Sequence, residues 1–297
     1  MPPELTHVIC CSRRTDVAAC YSDWLARALR TGEVAVRAPF GGPLRHVSLR
    51  PQDVHSIVLL SKNYESVLEN RDGVRDLLEG YEQTVCQLTI TGLGGSALEP
   101  AVPPWERVGA QLPALVALTG DARRVSLRYD PIVHWREGDC VRSNLDVAPQ
   151  ILDLAASAGV RLVRVSIAAL YHKTRGRGVP WVDPSFQERQ EIAAYLQALA
   201  AERGLLLQAC ADPSLVAAGI EPSSCIDGRL LSALHPRRLP LPVGKDKGQR
   251  AACGCTPSVD IGSYDMVCRH GCRYCYARPA SDQGRREPRM GYATQNS

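Results

Sequence analysis

Aromatic residues and lysine are scarce in this chain. Its 297 residues include two phenylalanines and four lysines, so 31 of the 35 basic residues are arginines. The base composition of a genome can produce such a bias by itself, and arginine richness is therefore weak ground for phosphate binding. Acidic residues number 31, and the resulting net charge of +4 is spread along the chain with no basic tail or run. Nucleic acid is neither demanded nor excluded. No stretch approaches the roughly 18–20 consecutive apolar residues of a membrane helix. The start, Met1-Pro2-Pro3-Glu4, lacks the basic region and apolar core of a secretion leader. The expectation is a cytoplasmic protein without a membrane partner. A low-complexity linker, a fixed-period repeat and a histidine pair at metal-ligand spacing are also missing.

What is present is ordinary globular material, 45% hydrophobic and 22% charged, enough to bury a large core. Short β-branched runs alternate with amphipathic stretches as far as about residue 220, the grammar of a parallel sheet. Strands are expected at Thr6–Cys10, Glu33–Val36, Ser56–Leu60, Thr84–Thr91, Arg124–Tyr129, Arg161–Ser166 and Leu205–Cys210. Helices are expected at Ser22–Arg30, Glu65–Tyr81, Trp105–Leu118, Leu145–Ala158 and Ser185–Arg203, the last with Asp183-Pro184 before it and Gly204 after it. The fold class is α/β: an incomplete (β/α) TIM-type barrel over residues 1–220. Residues 221–297 form a cysteine-rich, cluster-binding segment packed on it, rich in glycine and proline and poor in apolar residues of its own.

Polar clusters stand where the strands should end. In a parallel barrel these ends converge on one face, where chemistry is done. After the first strand come Arg13, Arg14 and Asp16, whose guanidinium groups suit a carboxylate or phosphate. A salt-bridge network among strand ends is the structural alternative. Arg128 and Asp130 flank Tyr129 and share one side of an extended segment, with Tyr129 on the other. Lys62 and Asn63 end another strand.

Twelve cysteines in a reducing compartment read as thiols or metal ligands rather than disulfides. Cys268, Cys272 and Cys275 form a CxxxCxxC array with Tyr274 before the third cysteine and Gly271 inside the loop. Three thiolates on one loop can hold three irons of a [4Fe-4S] cube and leave the fourth iron open. A zinc site would want four ligands, usually as paired CxxC elements, and Cys253 and Cys255 could complete one. Cys253 and Cys255, with Cys225 and Cys210, also suffice for an auxiliary iron-sulfur cluster or a resolving thiol pair. Cys210 has a buried core thiol as its plain alternative. Cys10, Cys11, Cys20, Cys86 and Cys140 read as core or incidental, His270 as solvent-exposed, and Trp105 and Trp181 as packing. His134 and His172 are assigned no role.

The CxxxCxxC array resembles the signature of radical S-adenosylmethionine enzymes, although there it normally lies near the start of the barrel. The whole chain is similar to a bacterial family still called a domain of unknown function. The residues that carry the likeness are Ser12-Arg13-Arg14-Thr15-Asp16, Ser61-Lys62-Asn63, Leu98-Glu99-Pro100, Arg128-Tyr129-Asp130-Pro131, Cys225-Ile226-Asp227, Lys245 to Arg250, Asp260-Ile261-Gly262 and the cysteine loop. That family is described as carrying a radical-S-adenosylmethionine-like C-terminal cysteine cluster, and its barrel is similar to that of spore photoproduct lyase. The resemblance implies a [4Fe-4S] cluster that cleaves S-adenosylmethionine to a carbon radical. It also implies an adenine contact at Tyr274 and, through a segment resembling Gly-Gly-Glu-Pro, an amino-group contact at Glu99. Lys62 and Asn63 are then candidates for the cofactor's carboxylate.

Two functions follow as expectations. One is an enzyme fed by a reductant such as flavodoxin or ferredoxin, with Arg13, Arg14, Asp16, Arg128 and Asp130 holding a small-molecule or peptide substrate, or a nucleic acid. The other is a zinc- or iron-sulfur-containing module that binds nucleic acid or protein without catalysis.

Overall fold

The computed structural model describes residues 7–37, 42–169, 174 and 177–277. His172 and the end of the cysteine-rich segment lie outside them. The strands are β1 His7–Cys11, β2 Glu33–Arg37, β3 Leu44–Ser48, β4 Val54–Ser61, β5 Thr84–Thr89, β6 Val125–Ile132, β7 His134–Glu137, β8 Cys140–Ser143, β9 Leu162–Ile167, β10 Trp181–Val182, β11 Leu206–Cys210, β12 Glu221–Ser223 and β13 Val259–Asp260. Eight of them make one sheet in the order β12-β11-β9-β6-β5-β4-β1-β13. Every neighbouring pair in it is parallel. No pairing of β12 with β13 occurs among the described residues.

Parallel strands covered on both faces are apolar along their whole length rather than alternating, and all eight residues of β4 are buried. One face of the sheet, carrying Ile9, Ile57, Leu59, Leu88, Leu127 and Val163, packs on helical residues such as Val17, Leu25, Leu115 and Leu152. Each such side chain contributes about 1.5–3 kcal/mol when removed from water. The alternate residues Val8, Cys10, Val58, Leu60 and Val85 point the other way and meet Cys225, Ile226, Leu231 and Cys255. Helix Gly228–Leu234 lies across the strand starts: Gln83 Nε2 donates to Leu231 O at 2.9 Å and Arg124 Nη2 to Leu234 O at 2.9 Å. The strand ends therefore face the opposite side.

Six of the seven expected strands join the parallel sheet. Glu33–Val36 does not: it pairs antiparallel with β3 in a separate two-stranded ribbon, because its half-exposed alternation needs only one covered face. The expected helix Glu65–Tyr81 is broken into Glu65–Leu68 and Val74–Glu79. Asn70, Asp72 and Gly73 take left-handed backbone between the pieces, as short polar side chains and glycine can. Trp105–Leu118 is likewise two helices, Trp105–Gly109 and Leu112–Thr119, the second with a proline in its first turn. The long helix runs Phe186–Glu202 and starts on a capping box of Ser185 and Glu188, one residue past the proline expected to open it.

Candidate metal centre

The cysteine loop rests on the residues that follow β1, β4 and β5. Arg273 N donates to Leu98 O at 2.9 Å, and Ala101 N donates to His270 O at 3.3 Å. Gly271 has φ +67°, a left-handed turn that a side chain would strain. Arg177 clamps the far side, its Nη1 donating to the carbonyls of Cys272 (3.0 Å), Arg273 (3.4 Å) and Cys275 (2.7 Å). Ala277 N–H points at Cys275 Sγ, 3.4 Å away.

Two buried ion pairs lie beneath the loop. His270 Nε2 is 2.8 Å from Asp16 Oδ2. Asp16 also accepts from Ser61 Oγ (2.7 Å), Lys62 N (2.8 Å) and Ala19 N (3.0 Å). Burial alone would raise the Asp16 carboxyl, but His270 and these donors hold it below the usual range. Burial works against a charged His270 too, yet Asp16 pushes it up to about 9. The imidazole expected in solvent is therefore a buried cation, fixed by a partner 254 residues away.

The second pair is Lys62 Nζ and Glu99 Oε1, 2.8 Å apart. Thr91 Oγ1 donates to the same oxygen at 2.6 Å, and so does the Tyr274 hydroxyl. Against the cost of burial, Lys62 and the two hydroxyls keep Glu99 below the usual carboxylate range. Burial and the neighbouring Glu99 charge push the Tyr274 phenol up. The Lys62 ammonium lies 5.7 Å from the centre of the Tyr274 ring. Asn63 Oδ1 accepts from Gln111 Nε2 at 2.6 Å and from Glu65 N at 3.1 Å.

The thiols are not equivalent. Cys20, read from sequence as core or incidental, is buried and abuts the loop: its Sγ, Cys268 Sγ and a ring nitrogen of His270 all lie within 4.8 Å of one another. A hydrogen bond from Cys20 and the charge of His270, against burial, lower Cys268 to about 6. Burial raises Cys272 and Cys275, which metal binding would have to deprotonate. Cys253, Cys255 and Cys225 do not join this loop. They gather with Cys210 on the sheet face opposite Val17, Leu25, Leu115 and Leu152, where Cys210 Sγ and Cys225 Sγ are 3.3 Å apart.

The remaining candidates tie the strand ends to the cysteine-rich segment. Arg13 N and Nε donate to Asp260 Oδ2 at 2.8 and 3.4 Å, and Ser12 Oγ donates to Asp260 Oδ1 at 2.6 Å. Arg14 Nη1 reaches Gly262 O at 3.0 Å, and its guanidinium lies 5.7 Å from the Tyr264 ring centre. Arg128 pairs with Asp130, which also accepts from Ser166 Oγ. Tyr129 is buried on the helix-covered side. Trp105 and Trp181 both pack against buried clusters. Cys10, Cys11 and Cys86 are core thiols, and Cys140 is exposed.

The donor set fits a thiolate-bound metal. Three thiols share one turn whose carbonyls are held from outside, and three cations, His270, Lys62 and Arg177, stand around it to offset negative charge. Fold and site together define an α/β protein with a parallel sheet and a half-buried thiol loop at its strand ends. The chain belongs to DUF1848, a domain of unknown function, whose profile matches residues 8–277. No curated protein and no solved structure is significantly similar to it. Among the described residues, no helix is long and apolar enough to cross a membrane.

Proposed function

We propose that this chain is a radical S-adenosylmethionine-type enzyme carrying a [4Fe-4S] cluster on Cys268, Cys272 and Cys275. One observation carries the reading: the three-cysteine loop is seated against the residues that follow β1, β4 and β5, ringed by His270, Lys62 and Arg177. The strand order supports a (β/α) barrel open between β12 and β13, with the cysteine-rich segment folded over it. When bound, the cluster supplies the electron that cleaves S-adenosylmethionine to a carbon radical.

The chain's own groups have the following parts. Arg177 holds the loop carbonyls, and Asp16 is a positioning residue that acts through His270. All three donors to Glu99 converge on Oε1, leaving Oε2 as the oxygen for the amino group of S-adenosylmethionine. Lys62, paired with Glu99, and its chain neighbour Asn63 are assigned the carboxylate, and the Tyr274 ring the adenine. Arg13, Arg14, Arg128 and Asp130 hold the substrate, a small molecule or peptide before a nucleic acid, because the net charge is low. A cytoplasmic flavodoxin or ferredoxin supplies the reducing equivalent.

A second reading has its own observation. Cys20, Cys268 and His270 are close enough to share a single ion such as zinc, which would make the chain a binding module without catalysis. Oxygen-free purification separates the two. About four irons and four sulfides per chain on this loop, lost in Cys272→Ala, together with consumption of S-adenosylmethionine after dithionite reduction, supports the enzyme. Absence of iron, with zinc that disappears in Cys20→Ala, overturns it.

A further inference from the structure

Cys210 and Cys225 stand apart from the thiols of the core and of the loop. Cys10, Cys11 and Cys86 are sealed in the sheet, whereas Cys210, the last residue of β11, is partly open to solvent. Cys225 behind it is 8% exposed. Their sulfurs are 3.3 Å apart. A disulfide needs about 2.05 Å, so closure draws the two sulfurs together by about 1.2 Å.

Both cysteines are held in place by their neighbours. In the parallel register Cys210 lies opposite Ser223 of β12, two residues before Cys225. Beyond Cys210, Asp212 Oδ2 accepts from Ile167 N at 2.8 Å and its Oδ1 from Ser214 N at 3.1 Å, which fixes the end of β11 against β9. On the other side Arg164, 3% exposed, donates from Nε to Ser223 Oγ (3.0 Å) and from Nη2 to Ser224 O (3.1 Å). Gln87 Nε2 donates to Cys225 O. The chain entropy that a cross-link costs is therefore already lost in the fold, and each thiol meets the other at a high effective concentration. Arg164 also puts a buried positive charge beside the residue that precedes Cys225, and a nearby cation favours the thiolate that attacks disulfides.

The pair borders the residues assigned to substrate. Tyr129, Val165 and Ala209 are register partners across β6, β9 and β11. One residue further along stand Asp130, Ser166 and Cys210, and Ser166 Oγ donates to Asp130. Cys210 thus shares a row with Asp130 and Ser166 at the strand ends.

We propose that Cys210 and Cys225 are a redox-active dithiol that closes to a reversible disulfide by exchange with a small disulfide of the oxidised-glutathione class. Cys210, the reachable sulfur, attacks as its thiolate; a mixed disulfide forms and one small thiolate leaves. Cys225 then attacks the Cys210 sulfur, the internal S–S bond forms and the second small thiolate leaves. The chain gives up two electrons and two protons, and the small disulfide is reduced to two thiols. The bond clasps the end of β11 to the residues after β12, and it requires nothing of the loop at Cys268.

The test treats the full chain, purified without oxygen, with an excess of oxidised glutathione, followed by alkylation and peptide mass spectrometry. The expected product is a peptide pair linked through Cys210 and Cys225, formed with circular dichroism unchanged and returned to free thiols by excess reduced glutathione. In Cys225→Ser the second step is absent, so a glutathione adduct on Cys210 should accumulate at least tenfold over wild type. The proposal is overturned if both cysteines stay free, if Cys225 links to Cys253 or Cys255 instead, if the adduct on Cys210 persists in wild type, or if the link forms only as circular dichroism is lost. Should Cys225→Ser fail to fold, the wild-type peptide map decides alone.

Discussion

Replacing Lys62 by methionine keeps the apolar stem and deletes the ammonium, leaving the Glu99 carboxylate with two hydroxyl donors, Thr91 and Tyr274. Lys62 Nζ and Glu99 Oε1 are 2.8 Å apart, with side chains 14% and 1% exposed. Breaking one side of a buried pair costs about 3–5 kcal/mol. The slight exposure of Lys62 places Lys62→Met near the lower end, at about 3 kcal/mol. Glu99→Gln strands an ammonium that can turn toward water and costs about 1–3 kcal/mol. With both changes no charge remains, so the double variant should cost about 2 kcal/mol less than the sum of the singles. Urea unfolding of the metal-free chain, followed by circular dichroism, reads all four corners. The sign with pH follows from Glu99, whose carboxyl is held below its usual range by Lys62 and the hydroxyls against burial. A depressed carboxyl contributes stability above the unfolded value of about 4.3 and loses it as pH falls further. The gap between wild type and Lys62→Met should therefore narrow in acid. The reasoning fails if Lys62→Met costs less than about 1 kcal/mol or the single costs add within about 0.5 kcal/mol.

His270 is raised to about 9 by Asp16 against burial. Relative to an unfolded value near 6.5, this corresponds to about 3 kcal/mol, fully present below pH ~6.5 and lost as pH rises through about 9. His270→Asn should flatten that slope in urea titrations of the metal-free chain, and an unchanged slope would show that the pair is not charged. A Cβ on Gly262 would lie 2.2 Å from Ser12 Oγ and 2.6 Å from Ser12 Cβ, against the hydroxyl that donates to Asp260. Gly262→Ala should cost about 1–3 kcal/mol as overpacking, read as a lowered melting temperature; a melting curve identical to wild type contradicts the close contact.

The central strands β4, β5, β6 and β9 were legible because burial on both faces writes an apolar run into the sequence. β12 and β13 were not, since two or three residues such as Val259–Asp260 have no periodicity to read. Glu33–Val36 shows the alternation of any half-covered strand, and alternation does not name a partner. The break in Glu65–Tyr81 was written in Asn70-Arg71-Asp72-Gly73, a turn-forming run inside an otherwise helical pattern. The CxxxCxxC loop was visible because its ligands are neighbours in sequence. The roles of Cys20 and His270 were hidden because each depends on a contact some 250 residues distant. Arg128 and Asp130 were placed on one side by the two-residue period, and the pair they form is local. The thiol group around Cys225 was half visible: spacing flagged its members, but only the fold could show Cys210 3.3 Å from Cys225.

The pairing of β13 with β1 joins residues 259–260 to residues 9–10. During synthesis one edge of the first strand stays unzipped until roughly 250 further residues have emerged, some 10–50 s at ordinary ribosome speeds. The loop cysteines follow β13 directly, so Cys268 meets Cys20 only after that same stretch has been made. A product arrested before that point would present an open, aggregation-prone strand edge.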